Sequence, residues 1–515
     1  MVLYRNRKFY LFFAAWLLNF TQIAFSDDLK GHNEMINEWL QKVNAWESRP
    51  TASKSHVECV NWIAEEFQKL GLEVKRDYHD FSKYEVSDTR LFVGKNSESL
   101  QIASVYPFSG LTGESGVEAP MIYMDGKRCR KAKGKIAVVE VPNKAIPTEI
   151  LFDEHDTLLS GKKVLPDEII NPVLSSTLFG PDLDAYKKAG AAAVIAVWKN
   201  MSGGMAERQY LPFTLPYHSM PAVWIAEESG KRLINEAKNG SQAKLILSGE
   251  LSKDNVASLW TIIEGEKSDE SILVVTHTDG TNPVEENGFV GLLSIAKRIV
   301  ESGKKPQKNI VFVAVAGHLR LADISTKKRQ QATTIWLREH PELWNGKKGN
   351  SRAVAAIVLE HLGAMEWGDS VDGYVPSGDP AIEITYATTP LMRQIVEKNW
   401  KKRTTPYIAA VVTPRPIVHF GEGEPLFERK IPEVSILAIP SYLLSEIKMS
   451  GTGISVENIS DIVNKDIVID QCNVAYDVLN DLLETPSKSF GKVERVGFFG
   501  KLRDLFKAAK VLFGS

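Results

Sequence analysis

The sequence is short of several things. It has three cysteines in 515 residues, too few for a disulfide framework. It has no excess of either charge: 62 Lys plus Arg stand against 64 Asp plus Glu, a formal net charge of −2. No global basic field exists to attract phosphate backbones, so nucleic acid is excluded as a general partner. There is no CxxC pair, no HExxH, no GxSxG and no GxxxxGK followed by Ser or Thr. The simplest zinc-ribbon, zincin, serine-hydrolase and nucleotide-loop readings lose their support. Beyond the N-terminus no apolar stretch approaches the roughly 20 residues of a membrane span. What is present is ordinary for a globular chain: 43% hydrophobic and 24% charged residues, too apolar for a disordered one. At roughly 100–200 residues per domain, the length suggests two to four domains.

The N-terminus differs from the rest. Arg5, Arg7 and Lys8 precede an apolar run of ten residues, Phe9 to Leu18, and Ala24-Phe25-Ser26 supplies small residues before Asp27. This is the pattern of a cleaved signal peptide over 1–26. An uncleaved N-terminal anchor is the other reading, and both predict export. In an oxidising compartment one disulfide is available, Cys59 with Cys472; the alternative is three small buried hydrophobes.

Residues 55–70 carry apolar side chains at 57, 60, 63, 67 and 70, a helical spacing closed by Gly71. From about 105 to 250, short apolar runs such as Ile136 to Val141 and Ala193 to Trp198 are separated by Gly, Pro and Ser, which predicts a β-rich inserted domain. After 251 strands and helices alternate. Ser271 to Thr276, Asn309 to Ala316, Ala353 to Leu359 and Val434 to Ile439 read as buried strands, with helical patterns such as Gly288 to Val300 between them. The expected fold is α/β: a mixed, mostly parallel central sheet flanked by helices, built from 27–104 and 251–488. The tail from Lys492 to Ser515 holds six basic and two acidic residues, 6 − 2 = +4, with an apolar helical face. A basic amphipathic helix over 489–515 suits an anionic membrane surface, or packing on its own domain or a second subunit.

Ligands of open α/β sheets gather at the carboxyl ends of strands. There the sequence places His277, Asp279, Glu285 and Glu286 after the first strand, His318 after the second, and Glu360 and His361 after the third. His419, Glu422 and Glu424 come just before the fourth. Carboxylates crowded together need cations to hold them. Imidazole plus carboxylate suits Zn²⁺, with Mn²⁺ or another divalent ion as alternatives.

These residues carry a resemblance. The arrangement resembles the secreted two-zinc aminopeptidase superfamily, which includes glutamate carboxypeptidases and glutaminyl cyclases. The helix ending at Leu70-Gly71-Leu72 is similar to the family's first helix. The stretch 105–250 resembles an inserted protease-associated (PA) domain, notably at Gly134 to Pro142, Lys187 to Val197 and Met220 to Leu233. Ile272 to Gly280 resembles the strand leading to the family's His-x-Asp. The resemblance implies a metal-dependent hydrolase of peptide or small amide substrates, with one or two zinc ions.

The site departs from the family pattern. His277 and Asp279 match the first ligand and its supporting acid. Glu285 or Glu286 stands nearest the bridging Asp. The family's Glu-Glu pair is replaced at Gly317, His318 and Leu319. Glu360 corresponds to the next Asp ligand, and Glu424 to the final His, with His419 and Glu422 nearby. The implied ligands are His277, Glu285, His318, Glu360 and Glu424, with Glu286 and Asp279 serving catalysis. Asp, Glu, His and Cys together make up roughly 15–20% of average composition. Four ligand-capable replacements therefore favour a rebuilt site over a decayed one. A catalytically inactive chain that binds peptides or a partner through the same cleft is the alternative.

Overall fold

The computed structural model describes residues 30–125, 129–152, 156–160, 165–213, 217–319, 331–370, 373–405, 408–413, 419–448, 454–455, 458–494, 506 and 509. The expected signal segment 1–26 and nearly all of the basic tail beyond 494 lie outside the described residues.

A helical segment over 30–46 leads into α1 (Lys54–Lys69). Ser53 caps α1 by accepting from His56 N, and Gly71, at φ +79°, lets the chain leave. The helix buries His56, Cys59, Val60, Ile63, Ala64 and Phe67. Val57, expected inward, is 36% exposed. The face is rotated because His56 turns inward to bond Thr278 Oγ1 at 2.7 Å.

The strands that follow include β1 (Lys75–Val93), β2 (Ser104–Val105), β3 (Gly113–Met124), β4 (Ile136–Pro142), β5 (Thr157–Ser160), β6 (Ala193–Lys199), β7 (Ala222–Ile225) and β8 (Gln242–Ile263). Helices α2 (Leu183–Lys188) and α3 (Glu227–Lys238) sit among them. Then come β9 (Lys267–His277), α4 (Gly288–Glu301), β10 (Lys308–Val315), α5 (Ala332–Glu339), β11 (Arg352–Leu359) and β12 (Ile382–Ala387). The chain ends through α6 (Pro390–Trp400), β13 (Ile408–Val412), α7 (Glu424–Glu428), β14 (Glu433–Ala438) and α8 (Lys465–Glu484).

One sheet runs through the molecule in the order β2-β7-β6-β4-β3-β8-β10-β9-β11-β14-β12-β13-β5, with β1 paired to β8. The four runs expected as buried strands are neighbours: β10, β9, β11 and β14 pair in parallel. Alternate residues serve opposite faces. Ile272 and Val274 of β9 enter the large core shared with α1, α4 and α8, whereas Leu273 and Val275 pack against Trp336 and Leu337 of α5. The fold is the expected mixed, mostly parallel α/β sheet covered by helices.

The stretch 105–250 is more helical than expected. Strands β3, β4, β6 and β7 pair in parallel, and parallel neighbours need crossover connections, here with α2 between β4 and β6. No linker separates this stretch from the main sheet. Strand β8 is continuous across residue 250 and pairs with β1 from Lys75↔Trp260 to Val93↔Ala243. Strand β5 reaches the far edge of the main sheet, where Ser160 pairs with Ile408 of β13. The three cysteines are free, with Cys59 on α1 and Cys472 on α8 both in the main core. Among the described residues no helix is long and apolar enough to cross a membrane.

Candidate metal centre

His277 is the last residue of β9. Its Nδ1–H donates to the Asp279 carbonyl at 2.9 Å, which leaves Nε2 as the free ring nitrogen. The turn beyond β9 is held from far away in sequence: Arg49 N donates to Gly280 O at 2.6 Å and Gly280 N returns to Arg49 O at 3.0 Å.

Asp279 is fully engaged. Its Oδ1 accepts from Gly317 N and His318 N, both at 3.1 Å, and its Oδ2 from Thr51 Oγ1 at 2.5 Å and Leu319 N at 2.9 Å. Burial works against its charge, but His56, His277, His318 and the Thr51 hydrogen bond outweigh it and hold the carboxyl down to about 2. Asp279 is thus an anchor for the turn after β10. Gly317 adopts φ +103° there, and a Cβ would lie 2.4 Å from the Phe81 ring. The turn presents His318, whose ring stacks on His277 with centroids 4.0 Å apart.

The loop after β9 also places Glu285 and Glu286. Asn282 accepts from Val284 N and Glu285 N and donates to Leu443 O at 2.8 Å and Ser445 O at 3.0 Å. Glu286 Oε1 accepts from Thr276 Oγ1 at 2.8 Å and Gly288 N at 2.6 Å, at the start of α4. Its Oε2 lies 2.7 Å from His277 Nε2, but without hydrogen-bond alignment. Gly288 admits no side chain, since a Cβ would sit 1.9 Å from Leu359 O. Burial first, then neighbouring carboxylates, push Glu285 well above its ordinary value; burial does the same to Glu286. The fully buried Arg49 guanidinium opposes both shifts and donates to Glu286 O.

Strand β11 ends on Leu359, and Glu360 and His361 follow. Glu360 Oε1 accepts from Glu422 N at 2.6 Å, and burial raises its carboxyl to about 7. His361 has φ +54°, which turns the residue after Glu360 into the same space. Its Nδ1–H donates to Ala438 O at 2.8 Å, leaving Nε2 free, and burial pushes the imidazole well below its ordinary value. Glu422 faces His318 Nδ1 at 2.6 Å and accepts from Thr333 N at 2.7 Å.

The sequence expectations therefore divide. His277, Glu285, Glu286, His318 and Glu360 gather, together with Asp279 as the anchor. Glu424 does not join them: it opens α7, half-buried, and its charge acts on His419. From that segment Glu422 is the acid that reaches His318. His361 was visible beside Glu360 in the sequence, but its backbone turn was not. Arg49, Thr51 and His56 carried no motif; the N-terminal strap and α1 bring them in.

The donor set suits a divalent cation. One ligand atom each from His277, Glu285 and His361 lie within 4.8 Å of one another. His277 Nε2, Glu285 Oε2, Glu286 Oε2, Glu360 Oε2 and His361 Nε2 are all buried without hydrogen-bond partners. Buried polar atoms are normally paired, and three of these five residues, His277, Glu285 and His361, bring ligand atoms close enough to share a cation. Both imidazoles have the other ring nitrogen fixed by a backbone carbonyl, the usual support of a metal-binding histidine.

No protein-family model matches the chain, and no curated protein is similar to it in sequence. Solved structures are similar in fold. A zinc aminopeptidase from Bacillus subtilis, BSAP, is 15% identical with a TM-score of 0.57, over 90% of this chain and 98% of that one. A Peptidase M28 precursor from Shewanella amazonensis SB2B is 14% identical with a TM-score of 0.57, over 89% and 98%. An aminopeptidase from Aneurinibacillus sp. strain AM-1 is 14% identical with a TM-score of 0.56, over 87% and 93%. Over nearly its whole length, the chain has the fold of the zinc aminopeptidases.

Proposed function

We propose that the protein is an exported, metal-dependent hydrolase of peptide or amide bonds that uses an altered ligand set. The five unpartnered donor atoms at the carboxyl edge of β9 and β11 carry this reading. His277, Glu285 and His361 would hold a divalent ion, zinc by chemistry of the donors. When bound, the ion supplies Lewis-acid polarisation of the scissile carbonyl.

The chain supplies the rest. Glu286 keeps one oxygen tied to Thr276 and Gly288 and the other free. Its Oε2 takes the proton from the attacking water and returns it to the leaving amine. The Glu422 carboxylate holds His318 Nδ1–H, which orients the opposite edge of the ring toward a substrate carbonyl. Asp279 fixes the turn that carries His318. Arg49 offsets the negative charge of the paired glutamates. The stretch 105–250 is read as a PA-like insert beside this site, and residues 492–515 as a peripheral membrane contact.

The test is metal content together with turnover. Purified protein should retain a divalent ion and hydrolyse aminoacyl anilides, and His277→Ala should lose both. No bound metal and no hydrolysis across a broad panel would sink the enzyme reading. It would leave the inactive peptide-binding alternative.

A further inference from the structure

Away from the metal centre, one surface of the 105–250 stretch gathers bases without acids. Between Asp125 and Glu140 the sequence has no acid, and the described part of that interval carries Arg130, Lys131, Lys133 and Lys135. Arg130 and Lys131 stand on a short 3₁₀ turn, Cys129–Ala132, which buries Ala132. Arg130, Lys131 and Lys133 are exposed, and Lys135, just before β4, is half-buried.

The fold adds two more bases from 50 or so residues further on. Helix α2 packs on the turn, with the Tyr186 hydroxyl and the Cys129 thiol as hydrogen-bond partners. Beyond the helix, Gly134 N donates to Gly190 O and Ala192 N to Lys135 O, both at 2.8 Å. Lys187 and Lys188, the last residues of α2, are thereby held beside the turn, and both are exposed. The acids at the other end of α2 are committed elsewhere. Asp182 accepts from Ala185 N at 3.0 Å as the helix cap, and Asp184 faces His218 Nδ1 at 3.1 Å. Among the described residues none of these six bases makes an ion pair.

We propose that this patch is a docking surface for the anionic headgroups of a phospholipid bilayer. Unneutralised charges of one sign raise the local potential and attract a multivalent partner of the other sign. Five of the six are lysines, point charges without the planar fork that fits one carboxylate or phosphate. Such a patch suits a surface of many anions, and clusters of about 4–8 Lys or Arg are the size that binds anionic lipid. Single-stranded nucleic acid binders offer rings for base stacking; Tyr186, the one aromatic of α2, is buried. Lipid as the polyanion met rests on the export reading. The patch is separate from the tail at 492–515.

The test is co-sedimentation of the purified protein with vesicles of phosphatidylcholine alone or mixed with phosphatidylglycerol. Binding should need phosphatidylglycerol and weaken as salt rises. Combining Arg130→Gln, Lys131→Gln, Lys133→Gln and Lys187→Gln should weaken it about 100-fold or more, at roughly five-fold per charge. Lys131→Gln or Lys187→Gln alone, at about five-fold each, serves if the quadruple variant does not fold. Lys304→Gln, Lys305→Gln, Lys347→Gln and Lys348→Gln together remove the same charge from other exposed positions and should leave binding near the wild type. The patch effect should persist in a chain lacking 492–515. Binding that ignores phosphatidylglycerol, an equal loss in the control set, a folded patch variant with unchanged affinity, or tighter binding to double-stranded DNA than to vesicles overturns the proposal. Vesicle binding is read on purified protein, so it stands or falls apart from export, which cell fractionation reads separately.

Discussion

Two buried clusters of histidine and glutamate lie in the same sheet, and they differ in one respect that matters. At the carboxyl edge, His277, Glu285, Glu286, Glu360 and His361 each bury an unpartnered donor atom, and those of His277, Glu285 and His361 lie within 4.8 Å of one another. Further down β14, His419 Nε2 lies 3.1 Å from Glu433 Oε1, walled by Tyr386 and Phe427. The second contact resembles a salt bridge by distance, but burial lowers His419 to about 4 and raises Glu433 well above its ordinary value. Burial thus works against the charge of both groups. The first cluster gathers ligand-capable groups from several elements; the second is a single pair whose four polar atoms also lack hydrogen-bond partners.

The sharpest way to break this comparison is at Asp279, an acid of the edge that has all its partners. Asp279→Asn removes the charge while His318, Leu319 and Thr51 still face it. Losing one member of a buried charged network costs about 3–5 kcal/mol. Chemical denaturation should show a loss of that size, and a loss under about 1 kcal/mol would make Asp279 dispensable.

Zinc separates the clusters next. At 100-fold excess over Kd a ligand stabilises by about 2.7 kcal/mol. The wild type should gain roughly this much in thermal unfolding, and His277→Ala or His361→Ala should gain nothing. His419→Gln should gain as much as the wild type. An equal loss in His419→Gln would erase the distinction.

Acid titration probes the lower pair alone. The His419 imidazole titrates at about 4 when folded, below its ordinary 6.5. As pH falls through 6.5 the unfolded chain takes the proton first, so stability present above that pH is lost on the way to pH 4. The wild type should lose about 2 kcal/mol more than His419→Gln over this interval, by the usual linkage of proton uptake to unfolding. Parallel curves for the two proteins would show that His419 stays charged when folded.

The smallest effect is expected at Glu433. Burial favours the protonated form of Glu433, which is close to an amide in charge and shape, so Glu433→Gln should change stability by less than about 1 kcal/mol. Glu286→Gln, equally conservative, should instead abolish anilide hydrolysis, because its free oxygen handles the proton.

Much of this was legible in the sequence. The apolar runs of β9, β10, β11 and β14 gave the parallel core, because a strand buried on both faces must be apolar throughout. The rule that ligands gather at carboxyl ends named His277, Glu285, Glu286, His318 and Glu360, all of which are buried in the structure. Strand β8 crosses the expected boundary near residue 250. A change in local texture marks β8 there, yet the strand continues unbroken into the main sheet.

The sequence by itself determined which strands form and which chemistry stands at their ends, since both depend on residue type and periodicity along the chain. Tertiary structure alone decided which of those groups remain without partners. Asp279 is satisfied by Thr51, 228 residues away, and His318 by Glu422, 104 residues away. His361 enters the site through a positive φ, and Glu424 leaves it because α7 begins there. A buried polar atom becomes a ligand only when the surrounding fold leaves it unpaired, and those pairings are set by contacts across the whole chain.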